Sequence, residues 1–164
     1  HIFTTLLPSA ETNDLLDNWV VNEPHLKFKS EKIVARYHKL WGKEATIYDQ
    51  YMARVASVFL ETFLFYSGFY YPLYLAGQGR MTTSGEIIRK ILLDESIHGV
   101  FTGLDAQSLR NELTDDEKLR ADKEMYDLLK ELYANEERYT KMLYDRVGLT
   151  EDVLNYVQYN GNKQ

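Results

Sequence analysis

Apolar residues recur along this chain at the three- and four-residue spacing of helices and almost nowhere at the alternation of strands. Ser9-Ala10-Glu11 marks a helix start, and Pro24 opens a second helix after Glu23 that Gly42 ends behind His38-Lys39-Leu40-Trp41. A long helix is predicted from Thr46 to Ala76, closed by Gly77-Gln78-Gly79. The next begins at Thr83 or Ser84 and reaches Leu113. Thr114-Asp115-Asp116-Glu117 is a capping box for a charged amphipathic helix ending at Gly148, and Thr150 caps a last short one. The one Asn-Gly pair, Asn160-Gly161, falls at the frayed end of the chain rather than in a hairpin. No repeat or low-complexity linker interrupts the pattern. The chain is predicted to be all-α, with short connections that favour antiparallel neighbours.

Within the long helix, Glu61 is the only charge between Val55 and Ala76. The segment is long enough to span a bilayer, but its tyrosines and its central carboxylate suit the buried centre of a bundle better. Pro72 withdraws a donor from the Gly68 carbonyl, which predicts a bend there.

In the following helix, Asp94, Glu95 and His98 interrupt the run LLDESIHG, residues 92–99. At about 100° per residue they fall within about 100° of arc that also holds Ile87 and Ile91. The solvent strip is left to Arg89, Ser96, Gly103 and Gln107. The three titratable groups are therefore expected to be buried, where carboxylates are normally paired or bound to metal. Glu95 and His98 could satisfy each other as a polar core pair, or form half of a carboxylate-bridged two-metal site. The second reading needs a carboxylate at the same height on a neighbouring helix. Glu61 lies about 24 Å from the intervening turn, and Glu95 and His98 lie about 20 and about 24 Å from it on the other side. Antiparallel packing brings them level. Carboxylate and imidazole without thiolate suit iron or manganese better than structural zinc.

Other polar positions read as structural. Glu136 interrupts the stripe Met125, Leu128, Leu132, Tyr139 and Leu143 and is expected to hydrogen-bond. His25 and His38 stand among Lys and Arg and are expected at the surface, while His1 has no preceding context. The thirteen tyrosines lie mostly at helical spacing and suit core or rim packing.

Composition narrows the function classes. The 164 residues suit one domain over 1–164, 45% hydrophobic and 27% charged. A net charge of −6 with no basic cluster argues against nucleic-acid binding. With no cysteine, disulfides, thiolate metal sites and cysteine nucleophiles are excluded, which fits a cytoplasmic chain. HIFTTLLPSAETND is not a signal peptide. It has no initiator Met and opens in mid-pattern, so a fragment is expected.

SVFLETFLFYSGF (57–69), LLDESIHGVF (92–101), ELYANEERYT (131–140) and YNGNK (159–163) together resemble the small β subunit of class I ribonucleotide reductase. FYSGFYYPLY and the Gly after the His resemble its class Ib branch. The resemblance covers the whole chain in order. It implies a ferritin-like helical bundle around a dinuclear manganese or iron site. Beside that site a tyrosyl radical forms and passes to the large α subunit, which reduces ribonucleoside diphosphates to deoxyribonucleotides. Position by position, Glu61, Glu95 and His98 resemble metal ligands, and Asp94 resembles the aspartate that bonds a ligand histidine and joins the radical route. Phe65, Phe69 and Ile91 resemble the apolar pocket around the radical. Thr62 and Tyr66 resemble, more weakly, an access channel that serves a flavodoxin-like activator.

The family's first carboxylate, its radical tyrosine and its first E-x-x-H are not matched here, nor is the C-terminal tail that docks on the α subunit. HIFTTL resembles the continuation of that first motif, so His1 is not the missing ligand. The chain is thus expected to hold half of a metal site, to be inactive alone, and to belong to a homodimeric parent. A ferritin-like diiron oxidase without radical chemistry and a metal-free helical interaction module are the alternatives.

Overall fold

The computed structural model describes residues 6–42 and 44–162, so His1 and Lys163 lie outside the described residues. Among the described residues there are helices and no strand. The first helical stretch, α1, runs through Ser9–Asp14, a π turn at Leu15–Trp19 and Val20–Asn22. Helix α2, Pro24–His38, closes in the 3-10 turn Lys39–Trp41. Helix α3, Ile47–Phe59, passes through a π turn at Leu60–Leu64 into α4, Tyr66–Gly77. Then follow α5, Thr82–Glu112, α6, Asp115–Tyr144, the 3-10 turn Asp145–Val147, and α7, Thr150–Gly161.

Capping chemistry sets most of these starts. Thr46 pairs reciprocally with Asp49, and Thr114 with Glu117, each satisfying two otherwise orphaned donors. Glu23 accepts from Leu26 N–H at 2.7 Å, with Pro24 pre-set in the first turn. Other boundaries depart from expectation. Helix α5 begins at Thr82 behind Met81, which takes φ 50° without a side-chain cap. Thr150 is the first residue of α7 rather than its cap, and its hydroxyl donates to Asp145 Oδ1 at 2.5 Å. Helix α6 stops at Tyr144, with Gly148 at φ 71° ending the 3-10 turn that follows. Asn160 and Gly161 are not frayed: they form the buried last turn of α7, under Phe63. The long apolar helix leaves α geometry at Leu60–Leu64, upstream of the Gly68–Pro72 pair.

Met52, Ala56, Phe59, Phe63 and Leu64 of α3 and its π turn form the centre of the core. They meet Leu128 and Leu132 of α6 and Val153 and Val157 of α7. Among the described residues no helix is long and apolar enough to cross a membrane. Glu136 is fully buried and structural: it accepts from Lys29 Nζ and from Ser67 Oγ, both at 2.8 Å. His25 is a correction. It is half-buried and pairs with Asn135 through Nδ1 to Oδ1 at 3.0 Å, while Asn135 donates back to the His25 carbonyl. Its basic neighbours suggested solvent, but Lys29, one turn further, is itself turned towards α6. His38 is exposed beside Trp41, as expected.

Helix α5 brings the larger correction. Asp94 and His98 are exposed and Glu95 is half-buried. The residues α5 buries are Gly85, Gly99 and Ala106, with Gly103 half-buried beside them. Leu93, Ile97, Val100, Phe101 and Leu104 instead face outward, Phe101 with 73% of its surface exposed. Apolar periodicity weighs large side chains, whereas the packed face of this helix is made of small ones that let backbones approach.

Removing one partner of a buried ion pair strands the other charge. Lys29→Met is therefore expected to destabilise the fold by ~3–5 kcal/mol, read from chemical denaturation against the unsubstituted chain.

Candidate metal centre

Glu61 stands in the π turn, whose wider winding departs locally from the α3 register, and such turns are common at functional sites. Glu95 and His98 stand one turn apart on α5. The two segments touch where α5 has no side chain. A Cβ at Gly99 would lie 2.2 Å from Thr62 Cγ2, and one at Gly85 would lie 2.3 Å from Ala76 Cβ. Thr62 cannot easily turn aside, because its hydroxyl donates to the Val58 carbonyl at 2.6 Å. This contact, between the residues immediately following Glu61 and His98, sets the gap the ligands must bridge.

Glu61, Glu95 and His98 each offer a ligand atom, and these atoms lie within 4.8 Å of one another. His98 Nδ1 is 3.1 Å from Glu95 Oε2 and 3.8 Å from Glu61 Oε2. The His98 side chain is 59% exposed, so the group is open on one side. Burial pushes the Glu61 carboxyl up to about 7, reinforced by the hydrogen bond and charge of Glu95 and opposed by His98. Two carboxylates drawn together this closely favour a shared proton or a cation between them. The donor set of two carboxylates and one imidazole fits manganese or iron, and three donors leave coordination positions for others.

The remaining site residues divide. Asp94 is exposed and lies outside the three-residue group. Phe65 and Phe69 meet with ring centroids 5.9 Å apart, while Ile91 is half-buried on α5. Thr62 and Tyr66 line an open cleft of about 420 Å³ with Ser96, Gly99, Gly103 and Asn160. Burial raises the Tyr66 phenol, and the charge of Glu95 adds to it. The π turn gave no periodic signal of its own. The glycine contact was missed, since the arc with Gly103 was left to solvent; the signal for it was that Gly85, Gly99, Gly103 and Ala106 fall within about 60° of arc on a helical wheel.

The family model for the ribonucleotide reductase small chain matches residues 1–164. The chain belongs to that family. It is 48% identical over 163 residues to the ribonucleoside-diphosphate reductase subunit beta of Bacillus subtilis, covering 99% of this chain and 49% of the relative. The corresponding protein of Bacillus phage SPbeta is 46% identical over 167 residues, with the same two coverages. The crystal structure of dimanganese(II)-NrdF from Streptococcus sanguinis superposes with a TM-score of 0.87 at 44% identity, over 99% of this chain and 54% of that one. The fold is therefore the ferritin-like helical one. The chain spans about half the length of the curated relatives it matches.

Gly99→Ala is expected to cost ~1–3 kcal/mol by overpacking and to widen the gap between Glu61 and His98, read as lower stability together with weaker Mn(II) binding. A second expectation concerns pH. Because the folded-state carboxyl of Glu61 is raised from 4.5 to about 7, the native metal-free protein holds an extra proton between those values. Its stability therefore falls as pH rises through that window, the sign opposite to that of an ordinary paired carboxylate. Glu61→Gln should flatten this slope in denaturation curves collected across the window.

Proposed function

We propose that this chain is part of the radical-generating small subunit of a ribonucleotide reductase. In this reading Glu61, Glu95 and His98 hold metal as half of a dinuclear manganese or iron centre. The observation that carries the reading is the convergence of these three side chains within 4.8 Å from two antiparallel helical segments. The other ligands come from the half of the family fold that this chain does not span. Manganese draws support from the dimanganese relative.

The reaction served is reduction of ribonucleoside diphosphates for deoxyribonucleotide synthesis, carried out in the cytoplasm with the large α subunit. When bound, the dinuclear centre supplies the oxidising power that generates a tyrosyl radical. This chain's residues have narrower tasks. Glu61 and Glu95 supply negative charge, and Glu61 must give up its proton for a cation to enter. His98 supplies a ring nitrogen, and Asp94 is the group that hydrogen-bonds a ligand histidine of the centre and joins the radical route. Phe65, Phe69 and Ile91 exclude water from the radical. Thr62 and Tyr66 line the route by which an oxidant from a flavodoxin-like activator reaches the site, consistent with the cleft they border. The exposed apolar face of α5, around an exposed ligand histidine, fits a surface that the rest of the subunit and its homodimer cover.

The test is metal analysis of the full-length gene product after reconstitution with Mn(II) or Fe(II). Stoichiometric metal that drops at least about tenfold in affinity in Glu61→Ala and His98→Ala supports the centre, and a tyrosyl radical signal separates a reductase from a ferritin-like oxidase. A well-folded product that takes up neither metal would reduce Glu95–His98 to a polar pair and sink the proposal.

A further inference from the structure

Three residues beyond Glu61, the ligand-bearing segment is gripped from two other helices. Where the π turn gives way to α4, the backbone changes register, and Gly68 N–H turns to the Phe65 carbonyl at 3.1 Å. The Leu64 carbonyl, whose usual helical donor is that same N–H, accepts from Lys29 Nζ of α2 at 3.0 Å. The same ammonium donates to Glu136 of α6 at 2.8 Å, and the other Glu136 oxygen accepts from Ser67 Oγ at 2.8 Å. Tyr144, also of α6, donates to the Ser67 carbonyl at 2.6 Å. Both ends of the join between π turn and α4 are thus held by charged or phenolic groups from outside the helix. Glu136 has no exposed surface and the Lys29 side chain is 14% exposed.

A core that needed only stability would not require this pair, since well-packed apolar residues commonly replace a buried ion pair at no loss. A π turn, by contrast, leaves backbone carbonyls that the regular ladder does not satisfy, and a buried carbonyl needs a donor. Lys29 is that donor, and Glu136 fixes where Lys29 can sit. The turn so held is the one that carries Glu61 and, one residue on, the Thr62 contact with Gly99.

We propose that Lys29 and Glu136 are positioning residues for the metal ligand Glu61: their ion pair holds the π turn in place and so sets the distance from Glu61 to Glu95 and His98. This rests on the reading of Glu61, Glu95 and His98 as metal ligands. The pair touches neither metal nor substrate and acts through the Leu64 carbonyl and the Ser67 hydroxyl.

The test uses the full-length gene product and the double variant Lys29→Met with Glu136→Leu, which removes the pair without stranding a charge. Denaturation curves report whether the fold survives. Electron paramagnetic resonance reports both the Mn(II) dissociation constant and the exchange-coupled signal of a filled pair site. The expected result is a folded double variant with Mn(II) affinity reduced about 10- to 100-fold, the range for groups that orient metal ligands, and an altered coupled signal. Ser67→Ala, which removes one bond and keeps the ion pair, should show a smaller loss in the same direction. A folded double variant with unchanged affinity and signal overturns the positioning role. If the double variant does not fold, Ser67→Ala decides: unchanged affinity and signal there overturn it equally. Failure of the unsubstituted protein to bind Mn(II) or Fe(II) would instead overturn the metal-centre reading.

Discussion

The structure depends on how closely α5 can approach the apolar helical run that ends in Glu61 and α4. Two glycines set that distance, one against Ala76 and one against Thr62. Everything at the candidate centre follows from it. With a larger residue at position 99, the carboxylate on one segment and the imidazole on the other would be separated by the added side chain. As it is, atoms from three residues on two segments share a space that a single ion can fill. The core beneath is conventional, with Phe63 and Leu64 packed towards α6 and α7. The unusual feature is that the next face round the helix carries charge.

That arrangement has an electrostatic cost, met in two ways. At Glu61, burial and the neighbouring Glu95 push the carboxyl up to about 7, so a bound proton offsets the repulsion between the two acids below that pH. At Glu136, where no exchange with solvent is available, the neutralising charge is Lys29, built in and bonded. The two carboxylates resemble each other in the sequence, each a lone acid in an apolar stripe, yet they differ in what stands opposite. Glu61 faces another acid and an exposed imidazole. Glu136 faces an ammonium and a hydroxyl. The first arrangement invites a cation, and the second already has one.

Much of this was legible in the residues. The helices, the breaker at 77–79 and the Thr114 capping box follow from local chemistry that tertiary contacts did not override, whereas the second box, Thr46 with Asp49, went unread. The level match of Glu61 with Glu95 and His98 followed from rise per residue alone, because both arms run to one short turn and the π turn shifts Glu61 only slightly along its arm. What failed has a common cause. The helical wheel placed Asp94 and His98 inside because they share an arc with Ile87 and Ile91, and it left Gly103 to solvent, yet α5 packs by Gly85, Gly99 and Ala106. Side-chain hydrophobicity says where a residue gains by burial. It does not say whether this chain contains the surface that would bury it. His25 failed for the converse reason: neighbouring charges suggested solvent, whereas Asn135 lay 110 residues away in sequence. The π turn at Leu60–Leu64 was out of reach, since a change from four- to five-residue bonding leaves no mark in composition.

The exposure of α5 is better understood as a property of the site than as a defect of packing. A manganese or iron ion prefers more donors than three, commonly six in octahedral oxygen-rich sites. A trio enclosed by its own chain would leave no room for the rest. His98 is open, and the residues around it on the outer face of α5 are large and apolar, Val100 and Phe101 among them. An open ligand in a polar setting would simply be hydrated. In the proposed reading, a ligand set in an apolar face would meet a covering surface that excludes water, and the low local dielectric would strengthen the charge pairing of a bound metal. The large apolar residues on the outer face of α5 and the titratable groups they flank are exposed in the same direction, so a surface that supplied donors to one would cover the other.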